Sequence, residues 1–239
     1  MGDKGLEGNV DAMLNDKESV ALEGEAIFTR AKEVSKERKF TESMEVIVKL
    51  NVDPTQGDQN IRGTCILPSG TGKEVKVCVF AGLEFHEDLR AQGADFIGDD
   101  AILKGIEEGN IPFDKIIATP EQMTQLKAMA RVLGPKGLMP NTKSGTLVKQ
   151  HELLDAVKQS KQGLVEFRVN DGSFIMGKIG LRTFENSALL ENLNALMDAI
   201  AKKKPESVKG KYFASAHVKS SMGPPLELKL APFHSMVVV

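Results

Sequence analysis

The sequence has no tryptophan, one tyrosine, two cysteines and four histidines among its 239 residues. Cys65 and Cys78 lie too far apart for a CxxC knuckle, and two thiols cannot staple a fold of this size. They read as buried, reduced side chains in a cytosol-like compartment. His86, His151, His217 and His234 are scattered, with no HExxH, so the sequence offers no metal ligand set. There is no GxSxG and no cysteine with an identifiable base, which removes the commonest nucleophilic hydrolases. No apolar run approaches the roughly 18–20 residues that cross a bilayer, which argues against an integral membrane protein. The opening MGDKGLEGNVDAM lacks the basic start and apolar stretch of a secretory signal, and is too acidic for an Arg-rich transit peptide. The expectation is a protein with no catalytic residue, metal, cofactor, small-molecule substrate or membrane contact.

What is present is an ordinary globular composition, 41% hydrophobic and 27% charged, with an uneven charge distribution. The formal net charge of −2 taken whole argues against nucleic acid. However, residues 1–25 hold two Lys against seven acidic residues, a charge of −5. Residues 26–60 balance at 0, 61–160 carry −1, and 161–239 hold eleven basic against seven acidic residues, a charge of +4. An acidic beginning thus masks a basic end, and asymmetry of this kind points to an anionic partner.

Hydrophobic periodicity divides the chain. Residues 1–25 show little pattern and read as an acidic lead-in. AIFTRAKEV predicts a helix from Ala26, and SMEVIVKLNV alternates Met44, Val46, Val48, Leu50 and Val52 inward as a strand. IRGTCILP (61–68) is a second strand. From about 67 to 160 the pattern changes to dense apolar strands (74–82, 94–98, 115–120 and the short 146–148) alternating with helices at 84–92, 99–108 and 121–132. That is the signature of a doubly wound layer structure. Two more strands, 164–171 and 173–180, flank Asn170-Asp171-Gly172, a hairpin signal resting on residues that tolerate positive φ. An amphipathic helix over 185–204 and a strand over 211–220, with Tyr212, Ala214, Ala216 and Val218 alternating, complete the pattern. Neither 26–66 nor 161–230 completes a sheet alone. The fold class predicted is therefore α/β: a split α+β domain from 26–66 and 161–230, with a Rossmann-like three-layer domain inserted at 67–160. A short tail, 231–239, follows.

SGTGK (69–73) invites a phosphate-loop reading, but Leu67 occupies the position of the first loop glycine and Glu74 the position of the magnesium-binding hydroxyl. A turn between strands fits better, and no GxGxxG turn follows the first strand of the inserted domain. Asp99-Asp100 and Glu107-Glu108 fit solvated helix faces, since adjacent helical residues diverge by about 100°. More telling are two loops: LGPKGLMPN (133–141), which exposes Lys136, and SSMGPP (220–225), which follows a strand with two hydroxyls, a flexible Met and an approachable backbone at Gly223. Such a segment suits a sugar-phosphate surface or a plain chain reversal. Lys39, Arg168 and Lys178 belong to the same split domain and suit a basic patch.

These residues also carry a likeness. NVDPTQGDQNIRGTCILPSGTGK (51–73), FDKIIATPEQM (113–123), RVLGPKGLMPNTKSGT (131–146), VEFRV (165–169) and SSMGP (220–224) resemble, in order and spacing, the bacterial-type universal large-subunit ribosomal protein one family, over about residues 26–228. The resemblance implies a split domain that grips large-subunit rRNA, a place on the mobile stalk beside the exit site, and assistance in releasing exit-site tRNA. It also implies, in bacteria, repression by binding the protein's own mRNA. Carried over by motif, Lys39 with Phe40 matches the family's KF, Glu166 and Arg168 its EFR strand, and Ser221, Met222 and Gly223 its Thr/Ser-Met-Gly loop, to which Ser220 adds the neighbouring hydroxyl. With Lys178, these are the expected rRNA contacts. The chain departs from the family at Met176, where His is frequent, and at Leu181, where Lys is usual. Lys178 and Arg182 are expected to restore that charge. Thr142 replaces the usual Pro. The acidic lead-in and the 215–225 stretch suggest a ribosome of mitochondrial location, ahead of chloroplast or bacterial cytoplasm. Two other functions are weighed: a translational repressor on mRNA, and a nucleotide-binding enzyme built on the inserted domain.

Overall fold

The protein is described by a computed structural model covering residue 22 and residues 24–36, 38–82 and 85–234. The acidic lead-in up to 21 and the tail beyond 234 lie outside these described residues. In chain order the elements are α1 (Ala26–Val34), β1 (Ser43–Leu50), β2 (Arg62–Ile66), β3 (Val77–Phe80), α2 (His86–Ala91), β4 (Phe96–Ile97), α3 (Asp100–Glu107), β5 (Lys115–Ala118), α4 (Met123–Ala128), α5 (Ala130–Leu133), α6 (Leu153–Lys161), β6 (Leu164–Arg168), β7 (Phe174–Leu181), α7 (Asn186–Ala201), β8 (Phe213–Ser220), β9 (Leu226–Glu227) and α8 (Ala231–His234). The fold is α/β with two domains.

The period-two run of β1 becomes the middle of an antiparallel sheet, ordered β7-β1-β8-β9. Met44, Val46, Val48 and Leu50 turn inward and are buried, leaving Glu45, Ile47 and Lys49 on the outer face. β2 pairs antiparallel with β6, and one bridge, Val169 to Ile175, connects that pair to β7. α1 and α7 cover the inner face. Ile27, Phe28, Leu189, Leu193, Leu196, Met197 and Ile200 meet the strand residues there in one apolar core, which also holds Phe167 and Tyr212. Leu22 adds a parallel bridge to Leu228 at the β9 edge.

The intervening chain forms a parallel sheet, β4-β3-β5, extended by a bridge from Ala118 to Leu147. The β3 run Val77–Phe80 is buried on both faces because both are covered. Val77 and Val79 pack with Leu89, Leu153 and Val157 on one side. Cys78 and Phe80 pack with Ile106, Leu126 and Leu133 on the other. This is the three-layer arrangement expected from alternating strands and helices. Both thiols are buried and unpaired with each other, and burial pushes the Cys78 thiol up to about 12.

Several local expectations are corrected. The helix over 121–132 is two, because Met129 leaves helical geometry at φ −89°, ψ 2° and turns inward with Leu126 and Leu133. Residues 146–148 contribute a single bridge rather than a strand. In the 170–173 turn it is Ser173, at φ 62°, that takes the left-handed conformation. Asn170 instead accepts the N–H groups of Gly172 and Phe174 on its Oδ1, at 3.1 and 2.9 Å. Ser173 is held by its hydroxyl, which donates to the Val52 carbonyl at 2.8 Å. In β8 the alternation breaks at Ala214, which is exposed: the pairing shifts between Lys49 and Leu50, so Tyr212 and Phe213 are both buried.

Candidate nucleic-acid interface

The outer face of the four-stranded sheet is laid out by its register. Glu45 on β1 stands opposite Lys178 on β7 and Lys219 on β8. The next row is Met176, Ile47 and His217, and the next is Phe174, Lys49 and Ser215. The Lys49 ammonium lies 5.6 Å from the centre of the Phe174 ring, a cation–π arrangement. Lysines therefore alternate with apolar side chains across a surface away from the covering helices. Such a face suits phosphates beside stacked bases and sugars.

At one end of this face two loops meet. The Ser221 N–H donates to the Ser43 carbonyl at 3.0 Å, and the Ser43 N–H donates to the Ser221 Oγ at 3.2 Å. That two-way link sets the 220–223 turn beside the start of β1, just after Lys39 and Phe40. Phe40 is 56% exposed, Met222 60% and Met176 58%, three of the four large apolar side chains left uncovered among the described residues. The fourth is Ile66, on β2. Three of the four exposed large apolar side chains among the described residues are thus in the split domain's lysine-bearing segments, which makes this face a candidate binding surface.

The nine residues expected to contact rRNA are not equivalent. Lys39, Phe40, Ser221, Met222, Gly223 and Lys178 cluster around the sheet end and its outer face. Burial, with Lys73 nearby, draws the Lys178 ammonium below the ordinary lysine value, against the pull of Glu45. Glu166 and Arg168 also face outward, but on β6, beyond β7 and paired with Thr64 and Arg62. Glu166 lines a gap of about 240 Å³ with Asp114, Lys115, Gly137 and Thr146 of the inserted segment. There burial lowers the Lys115 value while Glu166 raises it. Ser220 is corrected: it is 1% exposed and its side chain faces the inner side of β8. A Cβ built on Gly223 would run into the Ser220 hydroxyl, so the turn closes over it and presents one hydroxyl, that of Ser221.

The Arg182 charge is held at the end of α1. Its guanidinium donates to the carbonyls of Lys32 and Ser35, at 3.1 and 3.3 Å, and caps the negative end of α1. SGTGK opens no helix; it is the crossing from β2 to β3, with Gly70 and Gly72 at positive φ and Lys73 bound to Asp114 at 2.6 Å. A phosphate loop needs a helix N-terminus at that place. No group of three or more possible metal ligands occurs among the described residues.

Against known proteins, residues 31–224 match the family model described as the Ribosomal protein L1p/L10e family. The chain belongs to the L1p/L10e family. It is also 43% identical over 195 residues to the large ribosomal subunit protein uL1 of Gemmatimonas aurantiaca, covering 82% of this chain and 84% of that one. The L1 match contains all nine expected contact residues, while the lead-in and the tail fall outside it. Family membership places the chain among structural ribosomal proteins, not enzymes. The residues of the candidate face that the motifs do not include are Glu45, Ile47, Lys49, His217 and Lys219. Their outward alternation against the buried Met44, Val46 and Val48 was the available signal.

Proposed function

We propose that the chain is a structural constituent of the large ribosomal subunit that binds rRNA through the outer face of its split domain. The observation that carries this reading is that the Ser43–Ser221 bonds bring the segment after exposed Phe40 beside the turn carrying exposed Met222, at the end of the sheet where Lys178 and Lys219 flank β1, in a member of a ribosomal protein family. Lysines supply the salt-dependent attraction to phosphate, and the apolar groups exclude water from sugars and unstacked bases. The Ser221 hydroxyl and the Gly223 backbone offer hydrogen bonds to 2′-hydroxyl and phosphate oxygens.

The rRNA region is the stalk beside the exit site, where the protein assists release of deacylated tRNA. The two-domain build suits a post there, with the two chain crossings side by side: a Cβ on Gly163 would stand 2.9 Å from the Gly70 Cα. We place the split domain at 26–66 and 161–230; its core draws on residues 27–67 and 167–233, with Leu22 and Val165 packed against it, so that Leu67 and Phe233 just beyond those bounds join it. The acidic lead-in favours a mitochondrial ribosome. Co-sedimentation tests the assignment: the protein travels with large subunits from its own cells and is released by high salt. Recovery only in the ribosome-free supernatant at low salt overturns it.

A further inference from the structure

The chain joins the four-stranded sheet from the side of its cationic end. Leu22 bridges Leu228 in the parallel sense: its N–H donates to the Glu227 carbonyl at 3.1 Å, and its carbonyl accepts the Lys229 N–H at 2.9 Å. β9 pairs antiparallel with β8 and therefore runs away from the 220–223 turn. A segment parallel to β9 runs away from that turn too, so the chain before Leu22 comes from the turn's side. That is the end of the sheet where Lys178 and Lys219 flank β1, with one carboxylate, Glu45, between them. Lys49 lies farther along the same face, Met176 stands exposed on it, and Met222 is exposed on the turn. The residues that precede Leu22 have the complementary chemistry. Positions 1–21 hold Asp3, Glu7, Asp11, Asp16 and Glu18 against Lys4 and Lys17, a charge of −3, with Leu6, Val10 and Leu14 interspersed.

We infer that the acidic segment 1–21 docks on the outer face of the sheet when RNA is absent, its carboxylates against Lys178 and Lys219, and that RNA displaces it on binding. The displacement rests on the rRNA-binding function proposed above; the docking does not. Reach is ample, since an extended segment of that length spans about 70 Å and the face is about 15 Å across from β9 to β7. The bond at Leu22 makes the contact intramolecular, at an effective concentration of about millimolar order, so ion pairs that are weak singly suffice together. A competitor of this kind lowers the affinity of every RNA by the same factor. Tight ligands stay bound while weak, purely electrostatic ones are shed.

The test uses the full chain in three forms: wild type, a neutralised variant (Asp3→Asn, Glu7→Gln, Asp11→Asn, Asp16→Asn and Glu18→Gln), and a charge-preserving variant in which the same five positions exchange Asp for Glu and Glu for Asp. Without RNA, acetylation by an amine-reactive ester is followed lysine by lysine in the mass spectrometer. Lys136 and Lys143, exposed on the inserted domain, serve as references. At low salt, neutralisation is expected to speed labelling of Lys178 and Lys219 about threefold relative to those references. High salt removes the difference, and the charge-preserving variant behaves as wild type. Equal relative labelling in all three proteins overturns the docking. Protection that falls on dilution places the segment of a second copy there and overturns the intramolecular contact. With RNA, the neutralised variant is expected to bind a stalk-rRNA fragment and an unrelated hairpin each about fivefold more tightly at low salt. Unchanged affinity for both, with labelling altered, overturns the displacement. Altered labelling with no RNA bound by any of the three supports the docking and overturns the rRNA reading instead.

Discussion

Asn192 offers the sharpest test of how the two domains are joined. It is fully buried on α7, and its amide makes three bonds: Oδ1 accepts the Ser69 N–H at 3.0 Å, while Nδ2 donates to the Gly70 and Ile179 carbonyls at 3.0 and 2.8 Å. One side chain thus ties the crossing between β2 and β3 to β7 and to the core. Asn192→Leu keeps the approximate volume and removes all three bonds. The Ile179 carbonyl is enclosed, and leaving it unmet costs about 1–3 kcal/mol. Ser69 and Gly70 are partly exposed, so water replaces much of what they lose, at about 0.5–1.5 kcal/mol each. Leucine returns about 1 kcal/mol in apolar burial. The net loss is about 1–5 kcal/mol, centred near 3, enough to move an unfolding midpoint in a domain of ordinary stability. With no tryptophan present, the single tyrosine reports on the split domain alone: Tyr212 lies in its core and donates to the Ile200 carbonyl of α7 at 3.3 Å. Urea unfolding followed by tyrosine fluorescence measures the loss directly. A cost below about 1 kcal/mol would refute the claim that Asn192 clamps the crossing.

Other perturbations separate structure from binding. Arg182→Ala uncaps α1 and lowers split-domain stability by about 1–2 kcal/mol, yet leaves rRNA affinity unchanged; a loss of affinity with stability intact would return Arg182 to the RNA face. Gly63→Ala sets a Cβ 2.8 Å from the buried Phe167 ring and costs about 1–3 kcal/mol in the same unfolding assay; neutrality would mean that the ring can shift. The hydrogen bond from Lys73 is the main reason the Asp114 carboxyl lies below its ordinary 3.8. A depressed carboxyl contributes stability above that ordinary value and loses it as pH falls through the lower folded value. Both partners are well exposed, so the effect is small and screened by salt. Lys73→Ala is expected to flatten the acid limb of the stability curve of the inserted domain below about pH 4, and an unchanged limb would deny the pair that role.

The sequence was most legible where a single period persists. β1 could be placed from Met44, Val46, Val48 and Leu50 because half its residues meet a core, and α7 from its leucine stripe. The buried β3 run could be read as a strand covered on both faces for the same reason. Legibility failed where tertiary contacts choose among local options. Asn170, Asp171 and Gly172 all tolerate positive φ, but Ser173 takes it because its hydroxyl reaches Val52, a partner 121 residues away. Ser220 and Ser221 read alike as exposed hydroxyls in SSMGPP, yet Ser220 ends β8 with its side chain on the inner face while Ser221 begins the turn. The charge of Arg182 was visible; that the end of α1 would capture it was not. Glu166 shares a motif with Arg168, but how the inserted segment lies against β6, setting Lys115 near Glu166, is a property of the assembled fold.

On the proposed reading, rRNA binds at the end of the sheet carrying Phe40, Ser221 and Met222. Filter binding of a stalk-rRNA fragment to wild type and Met222→Asp tests it most directly, because Met222 is 60% exposed and its replacement leaves the core untouched. A carboxylate forced into a water-excluded contact with RNA costs at least about 2–3 kcal/mol, which is a loss of about 30-fold or more in affinity. That loss is expected together with an unchanged melting curve. Equal affinity of the two proteins for the stalk fragment would contradict it.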